Sequence, residues 1–559
     1  MATLLKPRLL GLLLCTLWIF CLPLHASGHV IEDFDKVLIH VLHRHGARAP
    51  TAKPNQTMFC TDAPCDQLTE NGVRMMEEVG KFLSKMYSVG PNPLFPKASD
   101  AEEMDGAVAQ RAYNLHDVYS RSTDVDRTIQ SAIAFLRGFF MTEGSSPSFS
   151  PVIHTVPKPM DTLLLTYLQP NLGFYYRYHR ATLLREVNPV TDKLFLDWKS
   201  LTRISTQLGL KGVCDNWENR TECAFNLFDI AASMTSSGEI DAYPLLKQNY
   251  KKLQRIYRAL LDYESYFDYN KEQHRREGSR GYIYWKQVLR NIDEKISGNI
   301  SFKMIHYSAH DITLTPITGS LLDRSDLGML PPFGQTLVVE LLKLRSPPAG
   351  IVLGDDKAAS VSSDAKNKLS KANYSVRVLR GNPAQTPEEN FVFHLDSSFQ
   401  LRCANSSGRL YNATDNICPL EDFERMLEKG APTDPRGSCL LEEELVKVVN
   451  CPEKPVLGSE LEGDLTRSVA VSPICAAYRK QCPEAACMGD EGAKGILDLK
   501  TLLCVDNHVT KIVDNEPLNK PLTVIVPLIL FAVGLGVAII LGVKCLSVKR
   551  PKINEVGDP

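Results

Sequence analysis

Hydrophobic positions along the chain alternate between strand-like runs and helix-like spacings. Short apolar runs predict buried strands at residues 37–42, 115–119, 302–307 and 336–342. Residues 66–86 and 125–140 instead carry apolar side chains at helical spacing. Polar residues suited to capping stand near the starts of these two helices, namely Thr69, Asn71, Thr123 and Asp124. Strands that alternate with helices predict an α/β fold, in which a mostly parallel sheet is flanked by helices.

The region between the second and third predicted strands has a different pattern. Residues 190–295 are charged and aromatic with largely helical spacing, and they predict a smaller helical cap over the sheet.

Residues 353–372 are polar without apolar periodicity and predict a surface loop.

Both ends of the chain predict processing and membrane insertion. Lys6 and Arg8 precede an apolar stretch and then small residues, which predicts a signal peptide over residues 1–27. Residues 521–543 contain no charged residue and are long enough for a transmembrane helix. The basic residues that follow place the tail, residues 544–559, in the cytosol. The chain is therefore expected to be a single-pass type I membrane protein of an endolysosomal membrane or the cell surface, with its bulk in the lumen or outside the cell.

Charge and cysteine content narrow the partners and the compartment. The formal net charge of -2 gives no basic surface for nucleic acid. Outside the signal peptide and the cytosolic membrane face the cysteines are even in number, which suits disulfides in an oxidising compartment. Proximity in sequence predicts three local pairs: Cys60–Cys65, Cys214–Cys223 and Cys403–Cys418. Six sequons are glycan acceptors on a eukaryotic secretory route: Asn55, Asn219, Asn299, Asn373, Asn405 and Asn412.

The segment that directly follows the first predicted strand carries the strongest chemical signal. It is Arg44-His45-Gly46-Ala47-Arg48-Ala49-Pro50, which places an imidazole and two guanidiniums at a strand end. In open α/β sheets, ligands bind outside the carboxyl ends of the strands. Guanidinium forks suit phosphate oxygens, and a glycine lets the backbone approach a bound group closely. The predicted ligand is an anion, and a phosphoryl group fits best.

Three segments together resemble the signature of the histidine acid phosphatases, a branch of the phosphohistidine-phosphatase superfamily. Residues 44–50 (RHGARAP) resemble the family's RHGxRxP pattern, residues 119–128 (YSRSTDVDRT) its RSTDxDRT segment, and residues 307–311 (YSAHD) its SAHD segment. The resemblance extends over residues 33–440, the expected catalytic domain. Residues 441–520, with five cysteines, are predicted to form a Cys-rich stalk.

The resemblance implies hydrolysis of phosphate monoesters through a phosphohistidine, without a metal or another cofactor. His45 is the implied nucleophile, and Asp311 is the implied proton donor to the leaving oxygen. The implied phosphate-binding residues are Arg44, Arg48, Arg121 and His310. The arginines are expected to keep the imidazole of His45 neutral. Because an ordinary aspartate is mostly ionised at neutral pH, a protonated donor predicts an acidic optimum.

Several single residues also have other interpretations. His40, His43 and His45 together suggest a metal site, but the first two lie on opposite faces of a strand and the arginines repel cations. Two further pairs are interpreted as structural, Asp126 with Arg127 and His116 with Asp117.

Two other functions remain open beside an acid phosphatase. A phytase or inositol-phosphate phosphatase resembles the same motifs, and the cap would set the choice of substrate. A catalytically silent membrane glycoprotein would keep the fold for adhesion or scaffolding. The joint presence of all the implied site residues favours the enzyme. Family members are often dimers, so a homodimer is an expectation from the resemblance alone.

Overall fold

The computed structural model divides the chain into two compact units, Met1–Asn450 and Cys451–Pro559. In the first unit it describes residues 33–51, 57–89, 92–96, 113–141, 150–166, 180–195, 197, 199–210, 212, 214–345 and 371–434, and in the second unit four short strands. The predicted signal peptide, transmembrane helix and cytosolic tail, and nearly all of the predicted loop at 353–372, lie outside these ranges. Within them, no helix has both the length and the apolar character needed to cross a bilayer.

An eight-stranded sheet forms the centre of the first unit. Its strands are β1 (Phe34–Arg44), β2 (Val118–Thr123), β3 (His154–Val156), β4 (Met304–Ala309), β5 (Thr336–Leu344), β6 (Tyr374–Pro383), β7 (Phe393–Leu395) and β10 (Ile417–Pro419). β8 (Arg402–Ala404) and β9 (Leu410–Asn412) form a separate hairpin. The order across the sheet is β10-β6-β5-β1-β4-β2-β3, and β7 pairs with β6.

The sheet is parallel in only one half. β1, β4, β2 and β3 run parallel to one another, whereas β5, β6, β7 and β10 join through antiparallel pairs. The prediction of a mostly parallel sheet is wrong for that second half. After β4, two helices return the chain to the sheet edge that it left, so β5 begins with Thr336 opposite His43 and runs back along β1.

Helices cover both faces of the sheet and build the cap. They are α1 (Glu70–Ser88), α2 (Asp126–Phe140), α3 (Arg180–Leu194), α4 (Lys199–Gln207), α5 (Arg220–Ser237), α6 (Pro244–Ser265), α7 (Glu272–Glu277), α8 (Tyr282–Ile296), α9 (Asp311–Ser320), α10 (Asp326–Met329) and α11 (Leu420–Glu428). Short 3-10 turns occur at Thr57–Phe59, Lys158–Met160, Trp217–Asn219, Ile240–Ala242, Pro387–Glu389 and Thr414–Asn416.

Alternation along β1 assigns its side chains to two cores. Ile39 and Val41 belong to a core that includes Phe135 of α2 and residues of α1. Leu38 and Leu42 belong to the core on the other face, which α8, α9 and α11 complete. Because both faces of β1 are buried, its sequence is a continuous apolar run.

The two predicted helix starts differ in outcome. α1 begins as predicted, because the hydroxyl of Thr69 accepts a hydrogen bond from the N–H of Gly72 at 3.1 Å. α2 is preceded by Val125, and no side chain caps it. Thr123, a predicted cap, instead lies with its hydroxyl 2.9 Å from Nε2 of His310.

The helices α3 to α6 have an apolar core of their own, in which Leu227 of α5 lies with Leu253 of α6. α8 falls almost wholly within the predicted cap range of 190–295, but its Trp285 belongs to the core under the sheet. All three predicted local disulfides are confirmed: Cys60–Cys65, Cys214–Cys223 and Cys403–Cys418.

The second unit contributes two small antiparallel hairpins in the region of the predicted stalk. β11 (Met488–Gly489) pairs with β12 (Gly492–Ala493), and β13 (Ile496–Asp498) pairs with β14 (Leu503–Val505). The rest of the predicted stalk lies outside the described residues, so the Cys-rich stalk stays a prediction.

Candidate active site

The parallel half of the sheet brings the three sequence motifs to one edge. Arg44 ends β1 opposite Ala309, which ends β4. Arg121 lies on the neighbouring strand β2. The chain after β4 continues as His310 and Asp311, where α9 begins. The loop after β1 carries the other two predicted residues, so all six lie at the carboxyl ends of parallel strands, where α/β folds bind ligands.

The loop after β1 is pressed against α1 through two glycines. A Cβ on Gly46 would lie 2.3 Å from the carbonyl oxygen of Gly72, and a Cβ on Gly72 would lie 2.0 Å from the carbonyl oxygen of Ala47. Both separations are far below an ordinary van der Waals contact. The N–H of Gly46 also donates to the hydroxyl of Ser131 at 3.1 Å. Direct contact between the two backbone segments, with no side chain between them, therefore fixes the position of His45.

His45 is buried, and the backbone fixes its tautomer. Its Nδ1 lies 2.8 Å from the carbonyl oxygen of Gly46, so Nδ1 carries a proton and donates it. Nε2 therefore keeps its lone pair. An imidazole in this state is a nucleophile that needs no prior deprotonation.

Burial and neighbouring cations hold two histidines in the neutral form. Burial is the largest cause that lowers the pKa of His45 well below its ordinary value, and it is followed by Arg127, Arg44, His310 and Arg48. Burial, Arg127 and other cations likewise lower the pKa of His310 well below its ordinary value. The two imidazole ring centres are 5.6 Å apart. The site therefore combines neutral imidazoles with permanent cations.

Each predicted phosphate-binding arginine is paired with a carboxylate. Arg44 contacts Asp311 at 2.9 Å, Arg48 contacts Asp229 at 2.7 Å, and Arg121 pairs with Asp161. All of these side chains are at most 15% exposed. Charge-assisted hydrogen bonds of this kind hold the guanidiniums in place before an anion binds.

The same arginines keep donors that no protein group satisfies. The buried Nε–H groups of Arg44, Arg48 and Arg121 have no hydrogen-bond partner among the described residues, and the same holds for the Nε–H of Arg127. A buried donor without a hydrogen bond costs free energy, so these N–H groups are expected to bind an acceptor. Phosphate oxygens accept from guanidinium forks. The arrangement suits an anion with several oxygens.

Two carboxylates of this site were missed from the sequence. Asp229 comes from α5 of the cap and accepts from Arg48 and from the N–H and hydroxyl of Thr51, at 2.8 and 2.9 Å. Asp161 lies in the segment after β3 and is fully buried beside Arg121. Neither residue belongs to a motif, and both lie far from their partners in sequence, so no sequence signal marks them.

Arg127, interpreted from the sequence as a structural ion-pair residue, takes part in the electrostatics of the site. It is the largest cause after burial of the lowered pKa of both His45 and His310. Burial, and then Arg48, lowers the pKa of Arg127 itself to about 10. The available signal was its position in the same motif segment as Arg121.

The other histidines of β1 are engaged elsewhere. Nε2 of His40 lies 3.2 Å from a side-chain amide of α8, whereas the ring of His43 packs on a phenylalanine of α2, so the two face opposite sides of the sheet as predicted. His43 donates its Nδ1–H to the carbonyl of Arg44 at 3.0 Å. Its Nε2 therefore accepts from Nε2–H of His306 at 2.8 Å, and Nδ1 of His306 accepts from the hydroxyl of Ser120 at 2.7 Å. These atoms form a directed hydrogen-bond chain behind the active site.

The remaining residues interpreted as structural have structural contacts. Asp117 pairs with Lys303 at 3.1 Å. The carbonyl of His116 accepts from the hydroxyl of Ser301 at 2.6 Å. Asp126 accepts a hydrogen bond from an exposed glutamine side chain at 3.3 Å.

Comparison with known proteins decides the family. Residues 37–379 match the model of the histidine phosphatase superfamily (branch 2). The chain belongs to this superfamily. The family predicted from the three sequence motifs is thereby confirmed.

Several histidine phosphatases similar to this chain are named acid phosphatases. Testicular acid phosphatase of Mus musculus is 28% identical over 369 residues, which cover 64% of this chain and 78% of the relative. Lysosomal acid phosphatase of Rattus norvegicus is 25% identical over 364 residues, which cover 63% and 76%. Among solved structures, a phytase from Citrobacter braakii matches with a TM-score of 0.43 and 15% identity, over 71% of this chain and 98% of that chain. The names of the acid phosphatase relatives confirm the predicted kind of enzyme, and the roles of individual residues stay predictions.

Proposed function

We propose that this histidine phosphatase hydrolyses phosphate monoesters in acid through a phosphohistidine at His45, without a metal cofactor. The observation that carries the proposal is the state of His45. Its Nδ1 donates to the carbonyl of Gly46 at 2.8 Å, and burial beside arginines lowers its pKa well below the ordinary value. Nε2 is thus an unprotonated nucleophile in a cationic site, which suits attack on a phosphoryl group.

In the first step, Nε2 of His45 forms a bond to phosphorus while the bond from phosphorus to the ester oxygen breaks. The electron pair of the broken bond stays on the leaving oxygen, which takes a proton from Asp311. The guanidiniums of Arg44, Arg48 and Arg121 stabilise the charge on the phosphoryl oxygens. Asp311 is paired with Arg44 in the structure. Transfer of that guanidinium to a phosphoryl oxygen releases the carboxyl group toward the leaving oxygen.

In the second step, a water molecule attacks the phosphohistidine and gives a proton to the carboxylate of Asp311. The bond from nitrogen to phosphorus breaks, and its electron pair returns to Nε2 of His45. Inorganic phosphate leaves, and Asp311 is protonated again for the next turnover. His310 is proposed to bind a phosphoryl oxygen through both steps.

An acidic medium suits both catalytic groups. The first step requires a proton on the carboxyl group of Asp311, the proposed general acid. Burial and the neighbouring arginines keep the pKa of His45 low, so the nucleophile stays neutral under the same conditions.

We also propose that the catalytic unit faces a lumen or the cell exterior and is anchored by residues 521–543. Three disulfides in the first unit support an oxidising compartment. Five of the six sequons fall within the described residues, and none of these asparagines is buried. Relatives named lysosomal and prostatic acid phosphatases support the same surroundings.

Trapping of the phosphoenzyme tests the proposal. The detergent-solubilised full chain is mixed with a radiolabelled aryl phosphate in acid and quenched in alkali, because phosphohistidine is acid-labile. Label is expected on the peptide that contains His45, in the presence of a chelator, and none is expected in His45→Ala. His394→Ala, which changes an exposed histidine of β7, is expected to label normally. Turnover that persists in His45→Ala, or that a chelator abolishes, would refute the proposed mechanism.

A further inference from the structure

A cavity of about 340 Å³ lies beside the active site. Residues of α5 and α6 form one wall, and the segment from α10 to β5 forms another. Of the six predicted site residues, Arg44 contributes to the lining. The size falls within the range of small-molecule binding sites.

Arg44 and Phe333 form the boundary between this cavity and the reaction centre. The guanidinium carbon of Arg44 is 4.4 Å from the ring centre of Phe333, which is 5.7 Å from the ring centre of His45. Arg44 donates to the carbonyl of Pro331, on the cavity wall, at 2.7 Å, and it contacts Asp311 at 2.9 Å. Because Asp311 is the proposed proton donor, it marks the side on which the leaving group departs. Arg44 thus connects the cavity wall to the proposed proton donor.

The cavity lining is strongly cationic. Besides Arg44, α6 contributes Lys251, Arg255 and Arg258, against one carboxylate, Asp326. Arg258 is already paired with Asp326 at 2.8 Å. Lys251 and Arg255 are exposed and have no ion-pair or hydrogen-bond partner within the described part of the chain. Residues four apart lie on one face of a helix, so these two cations stand together.

Aromatic rings line the cavity between the cations and the reaction centre. Phe228 and Tyr250 lie in a stacked arrangement, with ring centres 6.1 Å apart, and Phe333 is in the same lining. These rings give the cavity wall an apolar part beside the cations.

We propose that this cavity is a leaving-group subsite, which selects phosphate monoesters whose leaving group carries a second anion on a short apolar or aromatic linker. The inference rests on the proposed function and names the substrate class of the same site. The linker lies along Phe333 and Tyr250, and the second anion binds Lys251 and Arg255. A phosphate, sulfonate or carboxylate group offers the same oxygen acceptors to these cations.

The test compares substrates that differ only at the far end. Alkyl monophosphates of graded length end either in a sulfonate, which stays ionised in acid, or in a hydroxyl group. The measured quantity is kcat/KM of the solubilised full chain in acid. At a matching length, the sulfonate substrate is expected to be favoured by about tenfold, the size of two partly solvated charge contacts. Added salt is expected to weaken this preference, because it screens exposed charges.

Two variants locate the preference on α6. Lys251→Gln combined with Arg255→Gln changes exposed side chains and is expected to remove the preference. Lys252→Gln is the matched control, because this lysine is exposed on the same helix but does not line the cavity. The control is expected to keep the preference and to hydrolyse the hydroxyl substrate within about twofold of the parent.

The outcomes separate this inference from the proposed function. Equal kcat/KM for both end groups at every length, or a preference that survives in the double variant, overturns the inference and leaves the phosphatase proposal standing. Failure of the folded parent protein to hydrolyse either series overturns the proposed function, and the inference with it.

Discussion

Replacement of Asp229 by asparagine removes the negative charge that the cap places on Arg48. The two side chains are 14% and 10% exposed, and their contact is 2.7 Å long. Removing one partner of a buried ion pair costs about 3–5 kcal/mol. Asparagine still offers an oxygen to the donors of Thr51, so we expect a loss near the lower end, about 3 kcal/mol of unfolding free energy.

The same change is expected to weaken phosphate binding. Arg48 keeps its hydrogen bond to the carbonyl of Ala49 at 2.9 Å, but it loses the contact that orients its other end. Asp229 does not touch the reacting atoms, so the effect falls on KM and on inhibition by inorganic phosphate. Both constants are expected to rise about tenfold, with a smaller change in kcat.

The pH dependence follows from the pKa of Asp229. Burial raises this pKa, but Arg48 and Thr51 together bring it below the ordinary 3.8. A carboxyl group with a lowered folded-state pKa stabilises the fold above its unfolded-state pKa, and that contribution is lost as the pH falls through the folded-state value. The stability difference between the parent and Asp229→Asn is therefore expected to be constant above about pH 4 and to shrink below it.

Urea unfolding followed by circular dichroism, with and without phosphate, measures these effects. Asp262→Asn is the matched control, since Asp262 is a cap carboxylate that pairs with Arg324 at 2.6 Å with the arginine 49% exposed. Solvent screens a pair whose arginine is half exposed, so the control is expected to lose about 1 kcal/mol, less than Asp229→Asn. A loss in Asp229→Asn no larger than in the control, with unchanged inhibition by phosphate, would refute the idea that the cap positions Arg48.

Three further predictions concern Gly72, His43 and Arg127. Gly72→Ala is expected to lower both the melting temperature and kcat, with a stability loss of about 3 kcal/mol, because its Cβ would lie 2.0 Å from the carbonyl oxygen of Ala47; a fully active, equally stable variant would contradict the close contact. The pKa of His43 in the folded state is about 4, mainly through burial, so the unfolded chain takes up a proton first as the pH falls below 6.5. Denaturant unfolding is expected to show about 3 kcal/mol lost from this group between about pH 6.5 and pH 4, and a flatter profile in His43→Asn; identical profiles would contradict the neutral state of His43. Arg127→Ala is expected to weaken inhibition by phosphate about tenfold. The same change is expected to raise the pKa of His45, so kcat/KM is expected to begin its fall on the acid side at a higher pH. An unchanged pH profile would show that Arg127 does not act on His45.

That the six predicted site residues lie close together could be predicted because they lie directly at strand ends, whereas their roles stay predictions. The apolar run of β1 and the motif after it together place Arg44, His45 and Arg48, and two further motifs place Arg121, His310 and Asp311. The three local disulfides followed from short sequence separations. In each case the information is local, so one stretch of sequence suffices.

The parts that could not be predicted depend on contacts between distant residues. The direction of β5 is set by the return of the chain after β4, and an apolar run does not encode direction. Asp229 meets Arg48 only because the cap folds over the sheet edge, 181 positions along the chain. Arg127 was assigned to an ion pair because its spacing from Arg121 did not show that both guanidiniums lie near the same imidazoles.

The contact between Gly46 and Gly72 limits how this chain can evolve. Neighbouring positions in a protein core usually change by compensation, in which a larger residue at one is balanced by a smaller residue at the other. Compensating substitutions are not possible here, because each position already has the smallest residue and faces the backbone of the other segment. Homologous chains that keep His45 are therefore expected to keep both glycines as a pair. A homologue with a side chain at either position is expected to have shifted the loop from the helix and to have lost the phosphatase reaction.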